Sequence, residues 1–234
     1  MGFRVKPFLI AILVLAILAT RNAVAAPPDQ LKSVLERLNT SAAKFESASA
    51  DVELDTIDTD PLPDTDVQKG VVYYDRKSNA VRMGVHLNQH DGKPSAKEYT
   101  FMGGTFKLFE PGVNQVTTYA KANKWESYIV LGMGASGKDL EAKWDITDQG
   151  PETVNGVKTE KLQLVAKDAD FRKNVSKVTI WIDPDHAVSM KMEFILSATS
   201  SWVCHYSNFK FNSSLPSEAF TFKTNGQTVY RTQQ

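Results

Sequence analysis

Gly70-Val-Val-Tyr-Tyr-Asp-Arg76, Ala80-Val-Arg-Met-Gly-Val-His-Leu87, Lys97-Glu-Tyr-Thr-Phe-Met102 and Thr105-Phe-Lys-Leu-Phe-Glu110 follow one another with only short breaks between them. Each segment is short, rich in β-branched and aromatic residues, and alternates with a period of two, the mark of a half-buried strand. The breaks Lys77-Ser-Asn79, His90-Asp-Gly92 and Gly103-Gly104 are turn sequences. Short turns between short strands make antiparallel hairpins. Gln115 to Ala120 continues the series beyond Pro111-Gly112.

Working outward, Ala48, Ala50, Val52 and Leu54 alternate with Ser49, Asp51, Glu53 and Asp55, which predicts another strand before this group. The stretch Asp58 to Asp66 breaks the alternation with two prolines and is expected to be an acidic loop. Further upstream, Pro27-Pro28-Asp29 reads as a helix start. Leu31, Val34, Leu35, Leu38 and Phe45 then form the apolar stripe of an amphipathic helix. Downstream, Lys124 to Trp144 departs from the strand rhythm and predicts one or two short helices with a flexible glycine turn between them. Strands resume at Thr159–Ala166, Lys177–Asp183, Ala187–Leu196 and Ser201–Asn212, with a last short one around Phe220-Thr-Phe222. The expected fold class is mainly β (α+β): an incomplete antiparallel barrel or curled sheet with an amphipathic first helix and a short helical lid.

Arg4 and Lys6, the apolar run Phe8 to Ala19, and Ala23-Val-Ala25 together form a secretory signal. Cleavage after Ala25 leaves residues 26–234, in which no boundary is visible, so a single domain is expected. Lipid attachment to an exported chain requires a cysteine just after the cleavage site, and the only cysteine is Cys204. A soluble, unanchored and monomeric protein is therefore expected, with no intramolecular disulfide. Loss of Arg4, Lys6 and Arg21 from the balance of 27 basic and 27 acidic residues leaves 24 against 27, a charge near −3. That is no nucleic-acid binder, which needs a clear basic excess.

Catalytic and cofactor motifs are incomplete. Gly132-Met-Gly-Ala-Ser-Gly-Lys138 nearly spells a phosphate-binding loop, but Asp139 stands where a hydroxyl must hold magnesium. His86, His90, His186 and His205 lack histidine or cysteine partners at helical ligand spacing, so no metal site is expected. No G-x-S-x-G elbow is present. Cys204, between Trp202 and Tyr206 in a strand, reads as a small buried hydrophobe. Neither an enzyme nor a cofactor is expected. Arg76 shares a strand face with Val72 and Tyr74. Either its head reaches water at a strand end, or it has a partner in the lid or in a ligand.

Several of these segments also resemble the LolA-type periplasmic lipoprotein carriers. Phe45 to Val52 is similar to the family's F-x-x-x-x-A-x-V, and Gly70 to Arg76 to its G-x-L-x-x-x-R-P, with Lys77 in place of the proline. Gly103 to Val116 is similar to D-G-x-x-L-W-x-Y-x-P-x-x-x-Q-V, with Gly103 in place of the aspartate. Asn212 with Phe220-Thr-Phe222 resembles the family's ending. The resemblance implies an apolar cavity that shields the acyl chains of lipid-modified proteins, and an arginine, here Arg76, that holds a lid shut. It also implies an inner-membrane lipoprotein-releasing transporter as donor and an outer-membrane acceptor. Members of the same fold that sense lipid or lipopeptide without shuttling it are the alternative.

A curled sheet covered by helices offers a hollow suited to such cargo, because water-exposed acyl chains cost about 0.8 kcal/mol per methylene. The apolar parity of each strand supplies the expected lining. From the first hairpins this gives Val72, Tyr74, Val81, Met83 and Val85, and from the next Phe106 and Leu108. The later strands add Val178, Ile180, Met190, Met192 and Phe194. The same residues would equally fill a solid core.

Overall fold

The computed structural model describes residues 28–77, 80–119, 128 and 131–233. The signal segment 1–25, residues 78 and 79 of the expected turn, residue 120 at the end of an expected strand, and residues 124–127 and 129–130 of the expected lid lie outside the described residues. The first helix, α1, runs Pro28–Ala42. The strands are β1 Ser47–Asp58, β2 Asp64–Lys77, β3 Ala80–His90, β4 Lys93–Met102, β5 Thr105–Glu110 and β6 Gln115–Tyr119. Two short helices, α2 at Gly137–Lys143 and α3 at Ala169–Arg172, flank β7 Trp144–Val154 and β8 Val157–Ala166. The chain continues through β9 Lys177–Asp183, β10 Val188–Ile195, β11 Ser200–Phe211 and β12 Val229–Gln233.

All these strands join one curled, unclosed sheet in the order β12-β6-β5-β4-β3-β2-β1-β11-β10-β9-β8-β7. Every neighbouring pair is antiparallel except β12 with β6, which is parallel. Between β6 and β12 on one edge and β7 on the other, β1 and β11 hold the centre, paired over almost their full length. Register shifts at Ser49/Asp51, Lys69/Gly70, Leu87/Gln89 and Ser189/Lys191 mark bulges. Each inserts residues into one strand only, so the sheet bends there.

The alternation read from β1 is present as packing: Ala48, Ala50 and Val52 are buried and Asp51 faces water. On α1, Val34, Leu35 and Leu38 are the buried stripe, Leu38 completely so. Each such side chain contributes about 1.5–3 kcal/mol when removed from water. The helix lies against α2 and β7 over the half of the sheet where Leu162, Leu164, Val178, Ile180 and Ile182 are fully buried. This half is a solid core.

Several expectations need correction. Asp64 to Asp66 belong to β2, where Asp64 pairs with Asp58, so the acidic loop is shorter than its composition suggested. Residues 144–154 form β7, although Trp144 had closed the expected helical stretch and no strand was read after it. Phe220 ends a 3₁₀ turn, Ser217–Phe220, and the last strand comes later, at β12. The segment before β12 is a strap across the far face of β3 to β5. The ring of Phe220 lies under the Arg82 guanidinium, 4.4 Å from its centre, and Phe222 packs on Phe109 with ring centres 5.5 Å apart.

Gly84 is what lets the strap lie flat. A Cβ there would stand 1.8 Å from the carbonyl oxygen of Ala219. Gly84→Ala is therefore expected to push the strap off β3 at a cost of about 1–3 kcal/mol, read as a lower urea midpoint. Gly112→Ala, with nothing within 4 Å of its new methyl group, should leave the midpoint unchanged.

Candidate functional site

Where the sheet turns away from its solid half, the concave face forms an apolar hollow of about 380 Å³, open to solvent on one side. β1 to β3 contribute Val52, Leu54, Val72, Met83 and Val85 to its walls. β10 adds Met192 and Phe194, and β11 adds Trp202, Cys204 and Tyr206. These walls are built by cross-strand pairing. Met192 stands opposite Cys204, Cys204 opposite Leu54, and Val72 opposite Val85. Trp202 is the outward-facing wall, 49% exposed.

Tyr128, Phe171 and Val175 form the roof. The Tyr128 ring stacks on Phe171 at 3.9 Å, and Trp144 meets both edge-on at 5.2 and 5.7 Å. Phe171 is presented by α3, whose four residues are started by Asp168: its carboxylate accepts from the amides of Asp170 and Phe171 at 2.8 and 2.9 Å. A helix this short has no stability of its own. The cap and the aromatic stack hold it in place.

The lid's backbone is clamped from several sides, which corrects the expectation of a flexible glycine turn. The amide of Ser189 donates to Gly132 O and that of Gly134 to Ala187 O, both at 2.7 Å, while Met133 bridges to Val188. From β2, Arg76 Nη2 donates to Gly134 O at 2.6 Å, and the Arg76 amide donates to Glu46 O at 2.8 Å. From α1, Asn39 Oδ1 accepts the amide of Lys138 at 3.0 Å. The glycines are fixed by contact. A Cβ on Gly132 would lie 2.4 Å from Ser189 Oγ, on Gly134 2.5 Å from the Phe45 ring, and on Gly137 2.3 Å from the Leu35 carbonyl oxygen. Asp139, the departure from the phosphate-loop pattern, closes a capping box with Ser136 at the start of α2. The glycines serve packing, and the aspartate serves a helix end.

Of the residues expected to line a cavity, Val72, Met83, Val85, Met192 and Phe194 do so. Arg76 lies at the clamp. Tyr74 is buried against Phe45, with ring centres 5.4 Å apart, and Val81 packs on the core beside it. Phe106 stands between Tyr99 and Tyr119 at 5.9 and 5.6 Å, towards the β6 edge, with half-buried Leu108 on the same strand. Val178 and Ile180 belong to the solid half. The bulge between Ser189 and Lys191 breaks the parity read through β10, so Met190 is buried outside the core cluster that holds Met192. The reading from sequence missed Val52, Leu54, Trp202, Cys204 and Tyr206, although each had been placed in an alternating strand. Their membership depends on β1 pairing with β11 across some 150 residues of chain, which alternation within one strand does not encode. Tyr128 falls within the expected lid, Lys124 to Trp144, whereas Phe171 and Val175 carried no signal of their own.

The site's electrostatics are those of an apolar wall. Burial pushes the Cys204 thiol up to about 12, with Asp55 adding to the rise and a hydrogen bond from Tyr206 opposing it. Burial likewise holds the Tyr206 phenol well above its ordinary value. Both shifts favour neutral forms. Away from the cavity, Asp66, His90 and Asp91 converge at the far end of β2 and are the described residues able to hold a metal.

The arrangement defines a class: an open, curled antiparallel sheet whose concave face holds a roofed apolar cavity. No family model and no curated protein matches the chain. Among solved structures it is similar to an uncharacterized conserved protein from Thermus thermophilus, with a TM-score of 0.54 at 10% identity, over 87% of this chain and 99% of that one. It is also similar to MucB, with a TM-score of 0.52 at 11% identity, over 86% of this chain and 66% of MucB. A LolA superfamily protein from Nitrosomonas europaea aligns over 85% of this chain and 98% of its own, with a TM-score of 0.41 at 16% identity. At their identities, the likeness to the first two is one of fold alone.

Cys204, half-buried in the cavity wall, gives a direct test of how far water reaches that wall. At pH 8 its thiolate population should be roughly a thousandfold below that of a thiol at the ordinary value. Iodoacetamide should leave the native protein unmodified by intact mass and should label it within minutes in urea. Rapid native labelling would contradict the burial.

Proposed function

We propose that the protein is a carrier that takes up the acyl chains of lipid-modified proteins in this cavity and moves them from the inner to the outer membrane. The observation that carries the proposal is an apolar hollow roofed by aromatic rings, with an arginine clasp on the neighbouring lid backbone. The magnitudes agree. Ten methylenes moved out of water are worth about 8 kcal/mol, while a hydrogen bond from a charged group such as that from Arg76 to Gly134 contributes about 1.5–3 kcal/mol. Cargo burial can therefore outweigh the clasp, and the clasp can still favour the closed empty state. Met83 and Met192 on opposite walls suit chains of variable shape.

In this reading the signal segment is removed after Ala25 and the mature chain works as a monomer in the periplasm. It loads at a lipoprotein-releasing transporter and unloads at an outer-membrane acceptor. Among the described residues no helix is long and apolar enough to cross a membrane. A lipid or lipopeptide sensor could use the same cavity, and transfer between membranes separates the two roles.

An apolar fluorescent probe such as N-phenylnaphthylamine should bind the delipidated protein and be displaced by a palmitoylated lipopeptide but not by its unacylated form. Met192→Asp, which places a charge in the wall, should weaken probe binding at least tenfold. If the wild-type protein binds no probe, the hollow does not open and the carrier reading fails.

The clasp has its own signature. Arg76→Leu should load cargo as well as wild type but release it to acceptor membranes several times more slowly, because the empty closed state is no longer favoured. Arg76→Lys keeps the charge without the planar fork and should fall between the two. Thermal melts exclude simple unfolding. Wild-type release from a folded Arg76→Leu protein would show that the clasp plays no part in transfer.

A further inference from the structure

At the end of the sheet remote from the roof, β2 and the β3–β4 turn bring Asp66, His90 and Asp91 together. One ligand atom from each lies within 4.8 Å of the others. The expectation of no metal site searched for histidine or cysteine at helical spacing. Here the partners of His90 are carboxylates, one its neighbour and one 24 residues earlier on the adjacent strand, brought close by the pairing of Gln68 with His90.

The two carboxylates are arranged alike. Asp66 Oδ1 accepts from Gln68 Nε2 at 2.9 Å, while Oδ2 is hydrogen-bonded to His90 Nε2, a contact that a bound ion would replace. Asp91 Oδ1 accepts from the Val67 amide at 3.0 Å, and the Asp91 amide donates back to Val67 O at 2.8 Å. That leaves Asp91 Oδ2 3.6 Å from the same imidazole nitrogen. Each carboxylate is thus anchored through one oxygen by a group outside the trio and turns the other towards His90. Outer partners of this kind orient metal ligands. The three side chains are 36–56% exposed, so an ion can reach them from solution.

We propose that Asp66, His90 and Asp91 form a binding site for one divalent transition cation of the zinc class. With a neutral imidazole, two carboxylates and a dication, the local charge closes to zero. One nitrogen and two oxygen ligands, with water in a fourth position, fit the tetrahedral preference of zinc. Magnesium favours octahedral oxygen sites and keeps its waters. Val72 lies six residues further along β2, about 20 Å at the rise of a strand. The proposal therefore stands independently of the carrier reading. Its effect would be to tie β2 to the β3–β4 turn in a chain with one cysteine and no internal disulfide.

The test is calorimetric titration of the chelator-treated full chain with Zn²⁺, and with Mg²⁺ as the hard-cation control. One Zn²⁺ should bind per chain, at least a hundredfold tighter than Mg²⁺, with a change in the His90 ring signals by NMR. His90→Ala and Asp66→Asn should abolish that binding while circular dichroism stays native. Gln68→Leu, which frees the anchored oxygen, should weaken it about tenfold. No Zn²⁺ binding by the wild-type chain would overturn the proposal. So would Zn²⁺ binding retained in both His90→Ala and Asp66→Asn, which would mark an adventitious ion elsewhere.

Discussion

The backbone of residues 132–137 approaches β10, Phe45 and α1 more closely than any side chain would permit. Three walls meet there, and the glycines at 132, 134 and 137 are the spacing that the meeting requires. Gly132 and Gly134 also sit at φ of +77° and +72°, where other residues are strained. Once that segment is pressed into place, much else follows. α1 is held over the solid half through Leu35 and Asn39, β10 gains an extra backbone partner, and the Gly134 carbonyl is turned towards Arg76. The roof is then carried by neighbours whose positions are already set.

The same constraint explains why half of the sheet is filled and half is hollow. Under α1, the side chains of β8 and β9 meet Leu38, Leu140 and Trp144, and all are buried. Beyond the clamp, among the described residues, no long helix descends to the sheet. The bulges bend β1, β2, β3 and β11 around a space that Tyr128, Phe171 and Val175 cover from above. Interiors close-pack wherever side chains can reach one another. Here the lining side chains of β1 to β3, β10 and β11 leave about 380 Å³ between them.

Much of this architecture could be read from the chain. Strands β5 and β9 begin and end where alternation places them, and Val34, Leu35 and Leu38 of the expected stripe are buried, while Phe45, also read as helical, is buried beyond the end of α1 at Ala42. β7 escaped notice because Trp144-Asp-Ile-Thr-Asp-Gln-Gly-Pro-Glu-Thr-Val154 is charged and broken by Gly150-Pro151, so its strand character comes from pairing with β8. β12 escaped because none of its residues is buried, and nothing in its sequence alternates towards a core. The cavity itself was not legible. A wall residue and a core residue obey the same parity, and the difference lies in how far apart two strands stand after the sheet has curled. The Asp66, His90 and Asp91 grouping was hidden for a related reason, since it exists only across a strand pair.

An unclosed sheet has two free edges, and free edges invite copies of the same chain to pair and polymerise. The edge at β6 is covered by β12, which has only five residues, all facing water, and includes Arg231, whose side chain turns back to Gln115. The opposite edge, β7, carries Pro151, which offers no amide, beside a register shift that bends the strand. Exposed Asp145 and Glu152 place like charge along it. Both ends are therefore poor templates for a neighbouring strand. The open shape that leaves room for a cavity is thus kept from becoming a route to fibrils, even where the protein is crowded.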